Sequence, residues 1–298
     1  MSFDLFFCRS DGSVPSIPEL KDYFSALPFF QVSDVAEGGV EFLYENQDTG
    51  VYGIFSYSPL DANELEGCGS SGLSFNLNFN RPSFFAYETM PLVEAFCKHF
   101  NLRVEDIQEE TVGQANAAQL IHSWRSHNIQ AMGAMREVAE EEDIELNYLP
   151  EERATEWWRY MRVRQAIEEE LTEDIFVPQV MILQSPTKEL FTVIIWPNGI
   201  AQFFPRCDYI YVQRKKRRLF GVGEETGLVP YQSVLDTIKP LLNGYQFGGL
   251  GIKYLAPGDT QKVSRLIQRL NLEPIDLSQY SRIASDGFHD VEVPAHAS

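Results

Sequence analysis

Leu73-Ser74-Phe75-Asn76-Leu77-Asn78-Phe79-Asn80 alternates apolar and polar residues without a fault, and it is the cleanest such pattern in the chain. A period of two places Phe75, Leu77 and Phe79 on one face of a strand and Ser74, Asn76, Asn78 and Asn80 on the other. The first face belongs to a core. Asparagines are poor strand formers whose amides need hydrogen bonds, from water, a neighbouring strand or a partner. An antiparallel sheet with one wet face is the commonest setting that supplies them.

Working outward, Val40–Glu45 and Val51–Ser58 are apolar, aromatic and β-branched runs. They are joined by Asn46-Gln47-Asp48-Thr49-Gly50, with Gly where a left-handed conformation is wanted, so they predict a hairpin. Ser2–Cys8 reads as a buried strand, broken by Asp11-Gly12 and Pro15 before a short helix from Pro18 to Ser25. A helix is expected at Pro91–Phe100 with Pro91 in its first turn, and an edge strand at Leu102–Asp106. Helical periodicity covers Asn116 to Glu142, with a break at His127-Asn128, and returns from Pro150 to Leu171, where Trp157, Trp158 and Met161 face inward.

Beyond it a meander of strands is expected at Val177–Leu183, Leu190–Trp196, Ile200–Phe204 and Tyr209–Gln213. Helices near Tyr231–Leu242 and Gly258–Leu270 flank a strand at Gly251–Leu255, and a frayed tail runs from Asp286. The fold class expected is therefore α+β, two antiparallel-sheet units with packed helices joined by a helical segment. The boundaries fall at 1–112 for an acidic N-terminal domain, 113–175 for the connector and 176–298 for a C-terminal domain. With 298 residues, 44% of them hydrophobic and 13% aromatic, the chain can fill such cores.

Charge is the feature that bears on function. The net charge is −19, and residues 1–150 carry 24 Asp and Glu against 7 Lys and Arg, whereas residues 151–298 carry 19 against 17. A field of that sign disfavours nucleic acid and anionic membranes and attracts basic proteins. Solubility alone is the competing explanation, at even odds. The carboxylates singled out as a partner-binding patch are Glu105, Asp106, Glu109, Glu110, Glu140, Glu141, Glu142, Asp143 and Glu145.

Motifs for chemistry are missing. GxSxG, HExxH and GxxxxGK[ST] do not occur, so no catalytic residue is assigned. Gly221-Val222-Gly223-Glu224-Glu225-Thr226-Gly227 has the wrong spacing for a dinucleotide loop and puts carboxylates where a phosphate would sit. A glycine-rich turn is expected there, and Arg214-Lys215-Lys216-Arg217-Arg218 reads as the tip of a hairpin, with Leu219-Phe220 on its far side. Cys8, Cys68, Cys97 and Cys207 lack metal or redox spacing and are expected as reduced thiols. His122 and His127 do not share a helix face, and His289 and His296 lie in the tail, so no metal or other cofactor is assigned. Met1-Ser2-Phe3-Asp4 opens without a basic region or a long apolar run, and no apolar stretch is long enough to span a bilayer. The expectation is a cytoplasmic protein.

The opening Met1–Phe7, the hairpin Leu43-Tyr44-Glu45-Asn46 to Thr49-Gly50-Val51-Tyr52, and Phe75-Asn76-Leu77-Asn78-Phe79-Asn80-Arg81-Pro82 resemble uncharacterised bacterial proteins associated with immunity to polymorphic or type VI secretion toxins. The likeness lies in the first hundred residues and carries no site residue. It implies an antidote that binds and inhibits one cognate toxin, a basic, nuclease-like one by the charge. The alternatives are an enzyme of unrecognised family with a site between the two halves, and a structural module of a larger assembly.

Overall fold

In the computed structural model, which describes residues 1–59, 67–218 and 221–291, the chain is α+β and divides into two units, Met1–Leu146 with the segment from Ser285 onward, and Asn147–Ala284. The connector expected at 113–175 is not a separate body. Its first helix falls in unit 1 and its second in unit 2.

Unit 1 contains β1 (Ser2–Cys8), α1 (Ile17–Ser25), β2 (Phe30–Asp34), β3 (Val40–Asn46), β4 (Val51–Tyr57), β5 (Leu73–Asn78), α2 (Phe84–Phe100), β6 (Arg103–Asp106), β7 (Thr111–Gln114) and α3 (Ala117–Glu141). Its seven strands form one antiparallel sheet in the order β2-β3-β4-β5-β1-β6-β7. The alternation of β5 holds as written: Leu73, Phe75 and Leu77 are buried and Ser74, Asn76 and Asn78 half-buried. Neighbouring strands supply the hydrogen bonds of that second face, Asn76 Nδ2 donating to Asp4 Oδ1 at 2.6 Å and Ser74 Oγ meeting Ser56 Oγ at 2.9 Å. On the other face Phe24 of α1 stacks on Phe42 at 4.3 Å and on Phe96 of α2 at 5.3 Å, while Phe96 sits 5.4 Å from Phe7. Ring pairs of this kind contribute about 0.5–1.5 kcal/mol each beyond their buried area.

Several local expectations change. α2 starts at Phe84, so Pro91 lies inside it rather than in the first turn. The polar run His127-Asn128 does not break α3. Asn128 is buried and its amide turns sideways, accepting from Asn80 N–H at 2.7 Å and donating to the Arg81 carbonyl at 2.9 Å, where Asn80 is left-handed at φ +59. The tail is docked rather than frayed as far as it is described. Asp290 is buried and accepts from Ser83 N–H at 2.8 Å and Ser83 Oγ at 3.1 Å, an acid at the N-terminus of α2 where the helix dipole favours it. His296 lies outside the described residues. The cysteines also differ from expectation, since Cys8 at the end of β1 is bonded to Cys68 in a turn before β5, and only Cys97 and Cys207 are free. Sixty residues separate the bonded pair, and no local spacing announces it.

A buried carboxylate closes the hairpin of β3 and β4 onto α2. Glu88 Oε1 accepts from Tyr44 Oη at 2.7 Å, Asn46 Nδ2 at 2.7 Å and Thr49 Oγ1 at 3.1 Å. Gly50 takes φ +66 in the turn, the left-handed residue the loop called for.

Unit 2 contains α4 (Glu151–Glu170), β8 (Met181–Gln184), β9 (Leu190–Pro197), β10 (Phe203–Phe204), β11 (Tyr209–Arg218), β12 (Gly221–Pro230), α5 (Tyr231–Ile238), β13 (Leu242–Phe247), β14 (Leu250–Leu255), α6 (Thr260–Leu266) and β15 (Ser281–Arg282). A five-stranded sheet runs β12-β11-β9-β8-β15 and a three-stranded one β10-β14-β13. The expected meander is interrupted, because β9 and β11 pair parallel and β10 leaves for the second sheet; the other pairings are antiparallel. β9 is buried at six of its eight positions, the near-continuous apolar run of a strand covered on both faces. Trp157 Nε1 and Tyr160 Oη of α4 donate to the carbonyls of Val180 and Pro178 at 2.8 and 2.7 Å.

The basic run is not a hairpin tip; it is the second half of β11, and the glycine-rich segment is its partner β12, register Arg214 to Glu225. Arg214 is buried, ion-paired to Glu225 at 2.7 Å and donating to the carbonyls of Ile267 and Leu270. Leu219 and Phe220 lie outside the described residues. One buried amide stands out: Gln202 is fully buried and neither its oxygen nor its nitrogen has a hydrogen-bond partner among the described residues. A buried amide left without a partner costs about 1–3 kcal/mol. Gln202→Met keeps the side-chain length and removes both polar atoms, so it is expected to raise stability by roughly 1 kcal/mol, read as a higher urea midpoint at unchanged slope. A lowered midpoint would show that the amide has a partner.

Candidate functional site

The hairpin of β6 and β7 carries the first half of the carboxylate patch. Asp106 is 4% exposed: its Oδ1 accepts from Gln108 N–H at 3.0 Å and Glu109 N–H at 3.3 Å, closing the turn, and its Oδ2 accepts from Ser123 Oγ at 2.7 Å, tying the turn to α3. Glu105 is half-buried and accepts from Cys68 N–H at 2.7 Å. Both are engaged inside the fold. Glu109 and Glu110 are exposed at the tip, Glu109 3.8 Å from His127 Nδ1 and Glu110 left-handed at φ +52.

The second half lies at the far end of α3. Glu140 pairs with Arg136 at 2.8 Å, and Glu141, Glu142, Asp143 and Glu145 are exposed around the helix C-terminus and the turn after it. From Ser123 to Glu140 the axis of α3 climbs roughly 25 Å at about 1.5 Å per residue. Exposed charges that far apart are screened from one another, the Debye length being about 8 Å at physiological salt. The nine carboxylates thus form two separate clusters and not one patch.

Beside the first cluster the structure forms a cleft of about 580 Å³ between β7 and the first turns of α3. Val104 and Asp106 of β6 form its floor, Thr111, Val112 and Gly113 one wall, and Gln119, Leu120 and His122 the other. α3 is started here by Asn116, whose side chain accepts from Gln119 N–H at 3.0 Å. The sequence indicated an edge strand at Leu102–Asp106 but missed β7. Thr111-Val112-Gly113-Gln114 is too short for periodicity, and its only signal is a lone β-branched pair after an acidic turn.

Other clefts are present among the described residues. Glu140 lines one of about 280 Å³ with Arg136, Ile144 and His289, whose pKa burial lowers. In unit 2, pockets of about 410 and 250 Å³ share Arg153 and Asp208, but Asp208 is already occupied by Arg153, Thr192 N–H and Thr192 Oγ. The two free thiols are held protonated: burial pushes Cys97 up to about 12, and burial with Asp208 beside it raises Cys207 further from its ordinary value. Among the described residues no group of three or more His, Cys, Asp or Glu is placed to hold a metal ion, and no helix is long and apolar enough to cross a membrane.

The chain matches no family model, no curated protein and no solved structure in these comparisons. Function therefore rests on the site itself. The cleft is open, with the exposed strand β7 along one side and the Glu109 carboxylate at one end.

Proposed function

We propose that the chain is a non-enzymatic binding protein whose acidic unit engages a basic protein, most concretely an immunity protein that covers and inhibits a nuclease-like toxin. The observation that carries this is the placement of charge along the division into units. Unit 1 holds 27 Asp and Glu against 7 Lys and Arg, and unit 2 holds 16 against 17, so the segregation is sharper by unit than by half of the sequence. A toxin that grips phosphates presents Lys and Arg, and exposed carboxylates such as Glu109, Glu110 and Glu141 to Asp143 meet that surface with gains in encounter rate and specificity. The resemblance of the first hundred residues to toxin-immunity proteins points the same way.

The Cys8–Cys68 bond bears on the compartment. Structural disulfides are rare where thiols are kept reduced, so the Cys8–Cys68 bond weighs against the cytoplasm expected from the sequence and with it against the nuclease-like part of this reading, and leaves the basic protein partner untouched.

Co-purification at low salt is the test. The tagged chain is expected to retain a basic protein whose production alone arrests growth and whose toxicity the chain relieves. Retention of no such protein, or a retained protein that remains toxic beside the chain, would sink the proposal. With the partner in hand, the double charge reversal Glu109→Lys/Glu110→Lys is expected to slow association about tenfold at low salt and much less at high salt, measured by stopped-flow. Equal rates for the variant and the parent at low salt would remove the hairpin tip from the interface.

A further inference from the structure

We infer that β7 is a docking strand: an extended, basic segment of the partner adds to the open edge of the seven-stranded sheet and seats alternate side chains in the cleft between β7 and α3. This rests on the binding function proposed above and names the surface and the form of the ligand.

Among the described residues β7 ends the strand order and pairs with β6 alone. Thr111, Val112 and Gln114 are exposed, Val112 at 44%. Folded proteins blunt such edges with short strands, charges, prolines or a covering element, and of these β7 has shortness alone. The opposite edge follows that rule, since β2 carries Asp34 with Lys21 salt-bridged to it. Thr111-Val112-Gly113-Gln114 has neither a charge nor a proline, and the cleft holds α3 away from it. An edge without charge or cover beside a cavity is the arrangement by which an incoming strand gains main-chain hydrogen bonds on one side and side-chain pockets on the other.

Gly113 supplies the second observation. It pairs with Val104, whose side chain is buried, so this position faces the α3 side of the sheet. A Cβ built there meets no atom within 4 Å, and its φ is ordinary, so neither crowding nor strain requires glycine. Glycine within a strand weakens it, and a close approach by another backbone is one of the few uses that accounts for one.

Charge selects the occupant. Of the charged residues lining the cleft, Asp106 is saturated by Gln108, Glu109 and Ser123, which leaves the exposed Glu109 carboxylate, 3.8 Å from His127 Nδ1 and with Glu110 beside it, to meet the ligand; among the described residues no Lys or Arg lines the cleft. A second copy of the chain is a poor occupant, because edge pairing would bring together two units each carrying a net charge of −20. A segment with Lys or Arg flanking β-branched residues fits both the strand edge and the carboxylate end.

The direct test uses the whole chain and a synthetic peptide of alternating Val and Thr between terminal lysines, blocked at both ends, beside a counterpart with terminal glutamates. At low salt the lysine peptide is expected to bind about tenfold more tightly than the glutamate peptide, and to slow amide exchange at Thr111–Gln114. Gly113→Leu fills the cleft from open space. It is expected to keep its circular dichroism and melting temperature while losing at least tenfold in peptide affinity. Gly113→Ala is the smaller control should leucine disturb the fold, and a loss between parent and Gly113→Leu is expected. Glu109→Lys/Glu110→Lys is expected to abolish the preference for lysine.

Equal binding of the two peptides, protection that appears away from β7, full affinity in both glycine variants, or concentration-dependent dimerisation protecting β7 would each overturn the inference. The peptide assay needs no toxin. Its failure leaves the co-purification result standing, and a failed co-purification with intact peptide binding removes the immunity role and leaves the docking strand.

Discussion

Replacing Cys8 and Cys68 together by alanine is expected to cost unit 1 about 4 kcal/mol, because the bond closes a loop across a sequence separation of 60 residues and a loop of that length loses that much entropy of the unfolded chain. The position makes native-state compensation small. Cys8 ends β1, an interior strand of the sheet, Cys68 sits in the turn leading to β5, and both are buried. Each strand is already paired along its length, Leu5 with Phe75 and Phe3 with Leu77, so the bond adds no new register to the folded state. Its effect falls on the unfolded ensemble. The urea midpoint should drop equally in the double alanine variant and in the parent under strong reductant, at unchanged slope. A parent insensitive to reductant, or one whose four cysteines all react with an alkylating agent in the folded protein, would show that the bond does not form.

Glu88→Ala is expected to be of similar size, roughly 3–5 kcal/mol. One buried oxygen accepts from Tyr44, Asn46 and Thr49, and its removal leaves three donors without that acceptor in the interior at about 1–3 kcal/mol each. Those donors belong to β3 and the turn that follows it, so the loss should appear as faster exchange of amides at 44–51 as well as lower stability. Glu88→Gln retains one acceptor oxygen and nearly the same volume, and is expected to lose less than half as much. If alanine and glutamine cost the same, charge and not the three hydrogen bonds is what the site requires.

The sequence marked the elements whose evidence is local and continuous. The alternation Leu73–Asn80, the hairpin about Asn46–Gly50 and the aromatic stripe of α4 each repeat one signal over several residues, and each appears where its period placed it. Residues whose partners are distant read differently. His127-Asn128 has the composition of a helix break, yet Asn128 spends its amide on Asn80 and Arg81, far along the chain. The basic run has the composition of an exposed tip, yet Arg214 is ion-paired to Glu225 on the next strand and donates to two carbonyls beyond α6. Glu105 and Asp106 look like their neighbours Glu109 and Glu110, and only their partners Cys68 and Ser123 set them apart.

By itself, then, the amino-acid order determined the α+β class, the alternation that makes one face of the large sheet a core, and the concentration of carboxylates toward the N-terminus, since periodicity and charge are properties of neighbouring residues. Tertiary structure alone decided which cysteines meet, that α3 and α4 belong to different units, that the carboxylates fall into two clusters at either end of α3, and that a four-residue edge strand opens a cleft beside one of them. Each of those depends on contacts between residues distant in the chain, and such contacts are chosen by packing and hydrogen-bond satisfaction across the whole unit, which no local pattern encodes.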